Sequence, residues 1–296
     1  MAELANILGP ITIIALIGYV LERAKVGLDT RTISTLVLLV ATPSLIFHTL
    51  VSMHVDPVTL GTMAFAALLA MTISGALGVS LLYLTGASRR TYLPSLIFPN
   101  SGNMGLALVM LTFGDEGMKL GFSYFFMVSV VQHSIGFSIA AGTLDLRQLA
   151  RQPLLLSIVL VLIVTSFDLD VPQVVMTTTE MLGAMMIPAM LILLGGSLAT
   201  LKVSDLGAAV GISVARLTFG VISALLVIWL LDLHGLAAGT VFLLATMPTA
   251  IVNHIYAHRF SSNAVAVSGA VAVSTLLTFI CLPGLIWTAI WISGHV

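Results

Sequence analysis

Two polar interruptions lie inside long apolar runs of this chain. Residues 98–105 read FPNSGNMG, and residues 246–253 read TMPTAIVN. A helix interrupted by proline, glycine and side-chain amides leaves backbone N–H and C=O groups without helical partners, and hydrocarbon cannot satisfy them. Protein, water or a ligand must supply the missing hydrogen bonds, so a matched pair of breaks inside a membrane indicates a polar site of the kind that secondary transporters use.

The side chains at the two breaks predict an anion site. Half-helices that resume after Asn103 and after Thr249 would present N-terminal N–H groups and positive dipole ends. Asparagine side chains add amide donors and acceptors, and glycine permits close backbone approach or positive φ. The predicted substrate-binding residues are Pro99, Asn100, Ser101, Gly102, Asn103, Pro248, Thr249, Asn253 and Arg216. The alternative is a packed proline kink at each break, but two breaks in corresponding positions favour a site.

Arg216 lies near the middle of an apolar run, where a cation costs at least a few kcal/mol unless it faces water, an anion or another partner. Three uses are open at this point. The guanidinium would neutralise a substrate carboxylate, bind carbonyl groups that the breaks release, or extend towards the inner membrane surface.

Three histidines are candidates for coupling transport to protons, namely His133, His254 and His48, because only histidine titrates near neutral pH without perturbation. Gln132, beside His133, is a further candidate for the same proton path. The alternative for each is a hydrogen-bonded packing residue. The apolar runs contain no mid-span carboxylate pair of the kind expected for a cation antiporter. No cofactor and no metal site is predicted, and coupling to a proton or to sodium stays open.

Composition explains what must position these residues. Hydrophobic residues make up 59% of the 296 residues and charged residues 8%, and the mean hydropathy is +1.15. These values exclude a soluble domain and indicate an all-α integral membrane protein in contact with a lipid bilayer. With 11 basic and 12 acidic residues there is no basic excess for nucleic acid. An intramembrane enzyme would need a nucleophile, an acid pair or a metal cluster at mid-span, and none is recognisable, so no enzyme is predicted.

About ten apolar runs have the length that a helix needs to cross the hydrocarbon. They are residues 4–22, 32–51, 58–84, 92–113, 120–142, 150–167, 174–200, 206–231, 236–257 and 264–292. The sixth is the shortest, and it reads as re-entrant unless Pro153 occupies its first turn. Basic residues lie in alternate connections, except for Lys119, so the positive-inside rule places those connections in the cytoplasm and both termini on the outer side.

An internal repeat relates the two halves of the chain. Residues 43–47 (PSLIF) resemble residues 188–192 (PAMLI), and Pro99 falls opposite Pro248 at nearly the same offset. The predicted domains are therefore residues 1–148 and 149–296, each with five spans. An odd number of spans inserts the second half upside down, which gives an inverted-topology repeat. The alternative is chance similarity between apolar segments.

The two interruptions also carry a resemblance. The segment 98–106 (FPNSGNMGL), together with 248–250 (PTA) and 252–260 (VNHIYAHRF), resembles the motifs of the auxin efflux carrier family, whose bacterial branch includes proteins described as malate and malonate permeases. The resemblance implies a fold like that of sodium/proton antiporters or bile-acid symporters, with broken helices 4 and 9 crossing. It implies a scaffold of helices 1, 2, 6 and 7, a transport bundle of helices 3–5 and 8–10, and a substrate site that includes Asn100. His254 departs from the family pattern.

The sequence thus predicts a carrier that moves a small organic anion across a bacterial inner membrane by alternating access. The alternatives are a sodium-coupled symporter of the bile-acid type and a membrane ligand sensor that does not transport. Substrate identity, coupling ion, direction and oligomeric state, including a homodimer, stay open.

Overall fold

The computed structural model describes residues 2–27, 29–53, 57–142, 153–167, 169–199, 206–253, 256–257 and 264–295. Within this part of the chain the secondary structure is helical, apart from one isolated antiparallel β-bridge. The chain divides into two compact units. Unit 1 comprises Met1–Ile7, Leu60–Leu144 and Leu201–Val296, and unit 2 comprises Leu8–Thr59 and Asp145–Thr200.

Unit 2 is built from helices of the first and second halves of the chain. They are α1 (Ala2–Arg23), α2 (Thr30–Leu36), a π-helical segment (Val37–Ala41), α3 (Thr42–Met53), α8 (Pro153–Ser166), α9 (Gln173–Ala184) and α10 (Met186–Ala199). Gly18 of α1 lies against the carbonyl of Ile192, and Gly195 of α10 lies against the carbonyl of Ala15. A methyl group at either glycine would overlap the backbone, so these glycines let α1 and α10 pack backbone to backbone.

Prolines explain two irregularities in unit 2. The π-helical segment comes just before Pro43, and Thr42 N–H donates to the carbonyl of Val37. The seventh predicted span, 174–200, was expected to be one helix, but a turn at Met185 separates α9 from α10. Pro188 has no N–H to donate to the preceding turn, which weakens the helix at this point. The sixth span is helical from Pro153, which lies in its first turn.

Unit 1 contains the two predicted interruptions. Its elements are α4 (Pro57–Thr85), α5 (Arg89–Ile97), π-helical segments at Ser101–Gly105 and Gln132–Gly136, α6 (Leu106–Val131), α7 (Phe137–Ala141), α11 (Leu206–Leu230), α12 (Gly235–Ala245) and α13 (Ala264–His295). Four of these helices share one buried cluster, formed by Leu82, Leu96, Ile212 and Ala270. This cluster fixes α4, α5, α11 and α13 to one another.

Gly114 separates the fourth and fifth predicted spans. Its φ of 63° and ψ of −155° are not helical, and they interrupt α6 directly after Phe113. Only glycine adopts this conformation without strain, so the chain reverses here. The end of span four at residue 113 agrees with the sequence prediction. The following helix begins at Asp115, five residues before the predicted start of span five at residue 120.

Five helical stretches in the described part of the chain are long and apolar enough to cross a membrane. By length and composition they are Val58–Thr85, Leu106–Ala140, Gln173–Leu193, Leu206–Leu230 and Ala266–His295, and Leu39–Thr49 and Gly235–Ala245 are shorter apolar helices. Leu106–Ala140 includes the interruption at Gly114, and Gln173–Leu193 includes the turn at Met185. Large apolar side chains such as Leu84, Val174 and Trp229 are exposed, as expected for helices that face lipid. The chain is thus a multi-pass helical membrane protein. The count of ten spans and their arrangement as inverted repeats remain predictions.

Candidate functional site

The two interrupted segments of unit 1 lie directly against each other. Asn100 N–H donates to the carbonyl of Pro248 at 2.7 Å, and Ala250 N–H donates to the carbonyl of Phe98 at 3.1 Å. These two bonds flank Pro99 and Thr249, which form an isolated antiparallel bridge. In this pattern the central pair exchanges no hydrogen bond, so the missing N–H of Pro99 costs nothing. Both interruptions predicted from the sequence are present, and the two segments pair antiparallel at this bridge. We call this place the crossing.

The break after α5 removes two donors from the last turn of that helix. In a continuous helix the carbonyl of Ser95 would accept from residue 99, which is proline, and the carbonyl of Leu96 would accept from Asn100. Asn100 N–H instead bonds Pro248. Side chains from the second half of the chain fill these two places, as Thr249 Oγ1 donates to Ser95 O at 2.9 Å and Arg216 Nη1 to Leu96 O at 3.2 Å. Asn253 Nδ2 adds a second donor at 3.0 Å to Pro94 O, which keeps its backbone donor Phe98 N–H.

The end of α12 is completed in the same way. The carbonyl of Ala245 would accept from Thr249 N–H in a continuous helix, but that N–H donates to Ser274 Oγ at 3.2 Å. Arg216 Nη2 donates to the carbonyl of Ala245 at 2.6 Å and takes its place. A single guanidinium therefore binds the C-terminal ends of α5 and α12.

Arg216 is a fully buried cation, with 1% of its surface exposed. Both helix ends that it binds carry the negative pole of a helix dipole, which stabilises a cation. Of the three uses open for Arg216, binding to carbonyls released by the breaks is the one found in the structure. Among the buried polar atoms of the described residues, its Nε has no hydrogen-bond partner. A contact between Arg216 and substrate stays a prediction.

The segment that resumes after the first break offers donors. The carbonyl of Asn100 accepts from Met104 N–H at 3.3 Å and Gly105 N–H at 3.1 Å, so the helical bonds start with these groups. The N–H groups of the residues between Asn100 and Met104 lie in the first turn, where no intrahelical acceptor exists. Among the described residues, Asn100 Nδ2 and Ser101 Oγ are also buried without a partner. The side chain of Asn103, which was predicted to join them, lies outside the described part of the structure.

Glycines bring the resuming segment close to its neighbours. A methyl group at Gly102 would lie 2.5 Å from Phe125 Cε2, and one at Gly105 would lie 2.6 Å from Leu244 Cδ2. The sequence left close approach and positive φ open for these positions. Close approach is the reason found in the structure, because neither glycine has a positive φ.

A polar network of two residues that the sequence singles out separately extends from Asn253. Its Oδ1 accepts from Gln132 Nε2 at 3.4 Å, and both side chains are buried. Gln132 opens the π-helical segment that follows α6, next to His133. Gln132 stands out in the sequence as a glutamine inside an apolar run, but its bond to Asn253 could not be predicted from that run. Ser274, whose Oγ accepts from Thr249 N–H, is a site residue that the sequence did not single out.

The predicted coupling histidines are not brought together among the described residues. His133 Nδ1 lies 2.8 Å from the carbonyl of Ser129, and its ring meets that of Tyr256 edge to face at 6.3 Å. Since a carbonyl only accepts, the proton of neutral His133 is on Nδ1, and a second proton would bind Nε2. His48 belongs to unit 2, where its Nδ1 lies 3.2 Å from the carbonyl of Met176. His254 lies outside the described residues.

Comparison with known proteins gives the family. The family model described as "Membrane transport protein" matches residues 6–142 and 137–286. No curated protein matches the chain at a significant level. The match covers nearly the whole sequence, including both crossing segments. The chain therefore belongs to the auxin efflux carrier family of membrane transport proteins.

Proposed function

We propose that this membrane transporter carries a small organic anion, a carboxylate, by alternating access across a bacterial inner membrane. The proposal rests on one observation, that the acceptors at the crossing have hydrogen-bond partners in the protein and some of its donors do not. Carbonyls at the ends of α5 and α12 bind protein side chains, whereas Asn100 Nδ2 and Ser101 Oγ are buried without partners in the described structure. A ligand for unpaired donors must be an acceptor.

The energetic cost of these unpaired groups supports a ligand at this place. A buried polar group without a hydrogen bond costs about 1–3 kcal/mol. Asn100 and Ser101 are 4% and 1% exposed, and they are the N-cap and the first residue of the resuming helical segment, whose N–H groups and dipole favour negative charge. A carboxylate that accepts from the amide, the hydroxyl and the backbone would satisfy all of them. Pro99, Gly102, Pro248 and Thr249 would shape the site, and Asn253 would hold the crossing together.

Charge supports an anion as well. Arg216 places a guanidinium at the crossing, and a carboxylate in the neighbourhood would be attracted through a low-dielectric medium even without touching it. A cationic substrate would be repelled by the same group. We assign Arg216 the role of compensating the substrate charge.

The division of the chain supports an alternating-access mechanism with unit 1 as the moving bundle. Unit 1 contains the segments predicted as spans three to five and eight to ten together with the crossing, and unit 2 contains those predicted as spans one, two, six and seven. In the proposal, ten spans form two inverted repeats, both termini lie outside, and unit 2 is the scaffold.

Coupling is proposed to involve a proton on His133, since Gln132 beside it bonds Asn253 at the crossing. Uptake into proteoliposomes at several pH values, with and without a sodium gradient, tests this assignment. A flat pH dependence with strong sodium dependence would reject His133 and favour a sodium-coupled symporter.

Counterflow in proteoliposomes tests the main proposal. Vesicles loaded with unlabelled mono- or dicarboxylates should accumulate the labelled compound transiently, which requires a carrier. Asn100→Ala and Ser101→Ala should reduce this uptake at least tenfold, because each removes a buried donor. Ser123→Ala is the matched control, since Ser123 is buried in the same unit and its hydroxyl bonds the carbonyl of Lys119 within its own helix.

Three results would contradict the proposal in different ways. Ligand binding without flux would indicate a sensor, and flux without counterflow would indicate a channel. Counterflow of cations or neutral compounds alone would reject the anion assignment.

A further inference from the structure

The side-chain amide of Gln132 has a fixed orientation. Asn253 Nδ2 donates to the carbonyl of Pro94 at 3.0 Å, so Oδ1 is the atom of Asn253 that faces Gln132. An amide oxygen only accepts hydrogen bonds, and Gln132 therefore presents its Nε2 to Asn253, at 3.4 Å. The contact leaves the other amide atom of Gln132, the oxygen Oε1, as an acceptor. A carboxamide does not titrate, so this acceptor is permanent.

This acceptor has no donor in the protein. Among the described residues, no group donates to Gln132 Oε1. Gln132 is 5% exposed, and Oε1 is not one of the fully enclosed side-chain atoms that lack a partner. The oxygen therefore borders an opening and not packed side chains. An acceptor in such a place is satisfied by a ligand that donates a hydrogen bond.

The acceptor lies beside the crossing but at a distance from the unpaired donors. A methyl group at Gly102 would lie 2.5 Å from Phe125 Cε2, and one at Gly136 would lie 2.7 Å from Phe98 Cε2, so α6 and the π-helical segment after it pack along the first crossing segment. Gln132 follows Phe125 by two helical turns, about 10 Å along the axis. The donors next to Gly102 are thus at one end of this contact, and the acceptor is nearer the other.

We infer that the substrate carries a hydrogen-bond donor, a hydroxyl or N–H group, several bonds away from its carboxylate, and that Gln132 Oε1 accepts from it. This inference rests on the proposed function and deepens it, because it narrows the substrate class to carboxylates with a distant donor. It also makes Gln132 a specificity-determining residue. Gln132 belongs to neither crossing segment, so the carbonyls bound there keep their partners. With donors at one end and an acceptor at the other, the site admits such a substrate in one orientation only.

A metal cation fits the same acceptor less well. Hard cations need several oxygen ligands, and the oxygens nearest to this amide, Asn253 Oδ1 and Pro94 O, already accept from protein donors. Arg216 binds the carbonyl of Leu96, two residues further along α5, and would repel a cation. A neutral donor on an organic acid meets neither obstacle.

Acids that differ in one group test the inference on the wild-type protein. The probes are the straight-chain acids from propanoate to hexanoate, their ω-hydroxy derivatives, and their ω-methoxy derivatives, which have an oxygen at the same place but no proton to donate. Thermal stabilisation of the purified protein against ligand concentration gives a Kd for each. At least one hydroxy acid should bind about 3–10-fold more tightly than its parent acid, the effect of one net hydrogen bond. The methoxy acid should bind no more tightly than the parent.

Gln132→Met relates this preference to the amide. Methionine is close to glutamine in length and shape but offers no strong acceptor, so the variant should lose the preference for the hydroxy acid. The readout is the ratio of two dissociation constants, because a general disturbance of the site, such as the lost bond to Asn253, would weaken both acids of a pair alike. Gln173→Met is the matched control. Gln173 lies exposed in α9 of unit 2, where its Nε2 donates to Thr177 Oγ1 at 3.3 Å, and this variant should keep the wild-type ratio.

Several outcomes would overturn the inference. They are a wild type that prefers no hydroxy acid over its parent, a methoxy acid that binds as tightly as the hydroxy acid, and a preference that Gln132→Met retains. Stabilisation by sodium chloride over choline chloride without organic acid, lost in Gln132→Met, would assign the acceptor to a cation and also overturn it. If Gln132→Met does not fold, the comparison of hydroxy and methoxy acids on the wild type decides.

The same measurements separate this inference from the proposed function. Parent acids that bind and give counterflow without any preference for a hydroxyl would reject the donor assignment and leave the proposed function standing. If none of these acids binds, the inference fails, and the counterflow assay with other carboxylates decides on the proposed function separately. Absence of all carboxylate counterflow would reject the proposed function itself.

Discussion

Replacing Thr249 by valine isolates one hydrogen bond of the crossing. Thr249 is fully buried, and its Oγ1 donates to the carbonyl of Ser95 at 2.9 Å. That carbonyl has no other helical donor available, because the residue four positions later is Pro99. Valine keeps the shape of threonine and removes only the hydroxyl. The substitution leaves a buried carbonyl without its partner.

The magnitude follows from the cost of an unsatisfied buried group, about 1–3 kcal/mol. Hydrogen bonds between membrane helices average less, about 0.6 kcal/mol, because the groups find other partners in the unfolded reference state. Ser95 O has no such substitute in the folded state, since Asn253 and Arg216 already bind the carbonyls on either side of it. We expect Thr249→Val to lower the free energy of unfolding by about 1–2 kcal/mol.

Thr275→Val is the matched control for this substitution. Thr275 is 3% exposed in α13 of the same unit, and its Oγ1 donates to the carbonyl of Val271 at 2.8 Å. Val271 lies one turn earlier in the same regular helix, so its carbonyl keeps its backbone donor after the substitution. Thermal unfolding of both variants in the same detergent is the assay. An equal loss in the two variants, or no loss in Thr249→Val, would refute the view that side chains replace missing backbone donors at the crossing.

Three further predictions test other parts of the same arrangement. Gly220→Ala would place a methyl group 2.5 Å from the carbonyl oxygen of Ala245, so it should lower the free energy of unfolding by about 1–3 kcal/mol and impair counterflow. The control Gly211→Ala lies in the same helix with open space around it and should be neutral or slightly stabilising in thermal unfolding. Gly114→Ala should cost about 1–2 kcal/mol, because φ is 63° there, and equal stability of variant and wild type would show that the turn relaxes. Asn253→Ala should destabilise more than Gln132→Ala in the same assay, because Asn253 bonds both Pro94 and Gln132, and the reverse order would contradict the assigned network.

The sequence revealed the interruptions but not their partners. Proline, glycine and asparagine in an apolar run have local consequences for hydrogen bonding, so the break at Pro99 could be recognised from its neighbours alone. The donors that repair it come from residues 120 to 159 positions away in the chain. No local pattern contains that information, since it depends on how α5, α11 and the second crossing segment pack. Arg216 could be noted as anomalous, yet its role could not be chosen among three.

The sequence was also an incomplete guide to helix boundaries that depend on a single residue. The turn between α9 and α10 follows from a proline that the sequence analysis had used only as a repeat marker, so the seventh span was expected to be continuous. The start of the helix after Gly114 was placed five residues too late, because Asp115, Glu116 and Lys119 suggested a polar connection. In the structure these charged residues lie on helical backbone at its exposed end. Polarity therefore marked the surface and not the end of the helix.

At the crossing the C-terminal helix ends have protein partners for their carbonyls, whereas the resuming N-terminal segment keeps unpaired donors. This difference bears on the kind of ligand that fits the site. A broken helix releases acceptors at the end of its first half and donors at the start of its second half. In the described structure the released acceptors of α5 and α12 receive donors from Thr249 and Arg216, and Asn253 adds a second donor to the carbonyl of Pro94. If the crossing only held the fold together, we would expect acceptor side chains to bind the free N–H groups of the resuming segment, just as donor side chains bind the released carbonyls. Asn100 and Ser101 instead add a free amide and a free hydroxyl there. The protein supplies donors to every carbonyl named above and adds further donors where N–H groups are already exposed, and the proposal of an anionic ligand that accepts hydrogen bonds rests on this pattern.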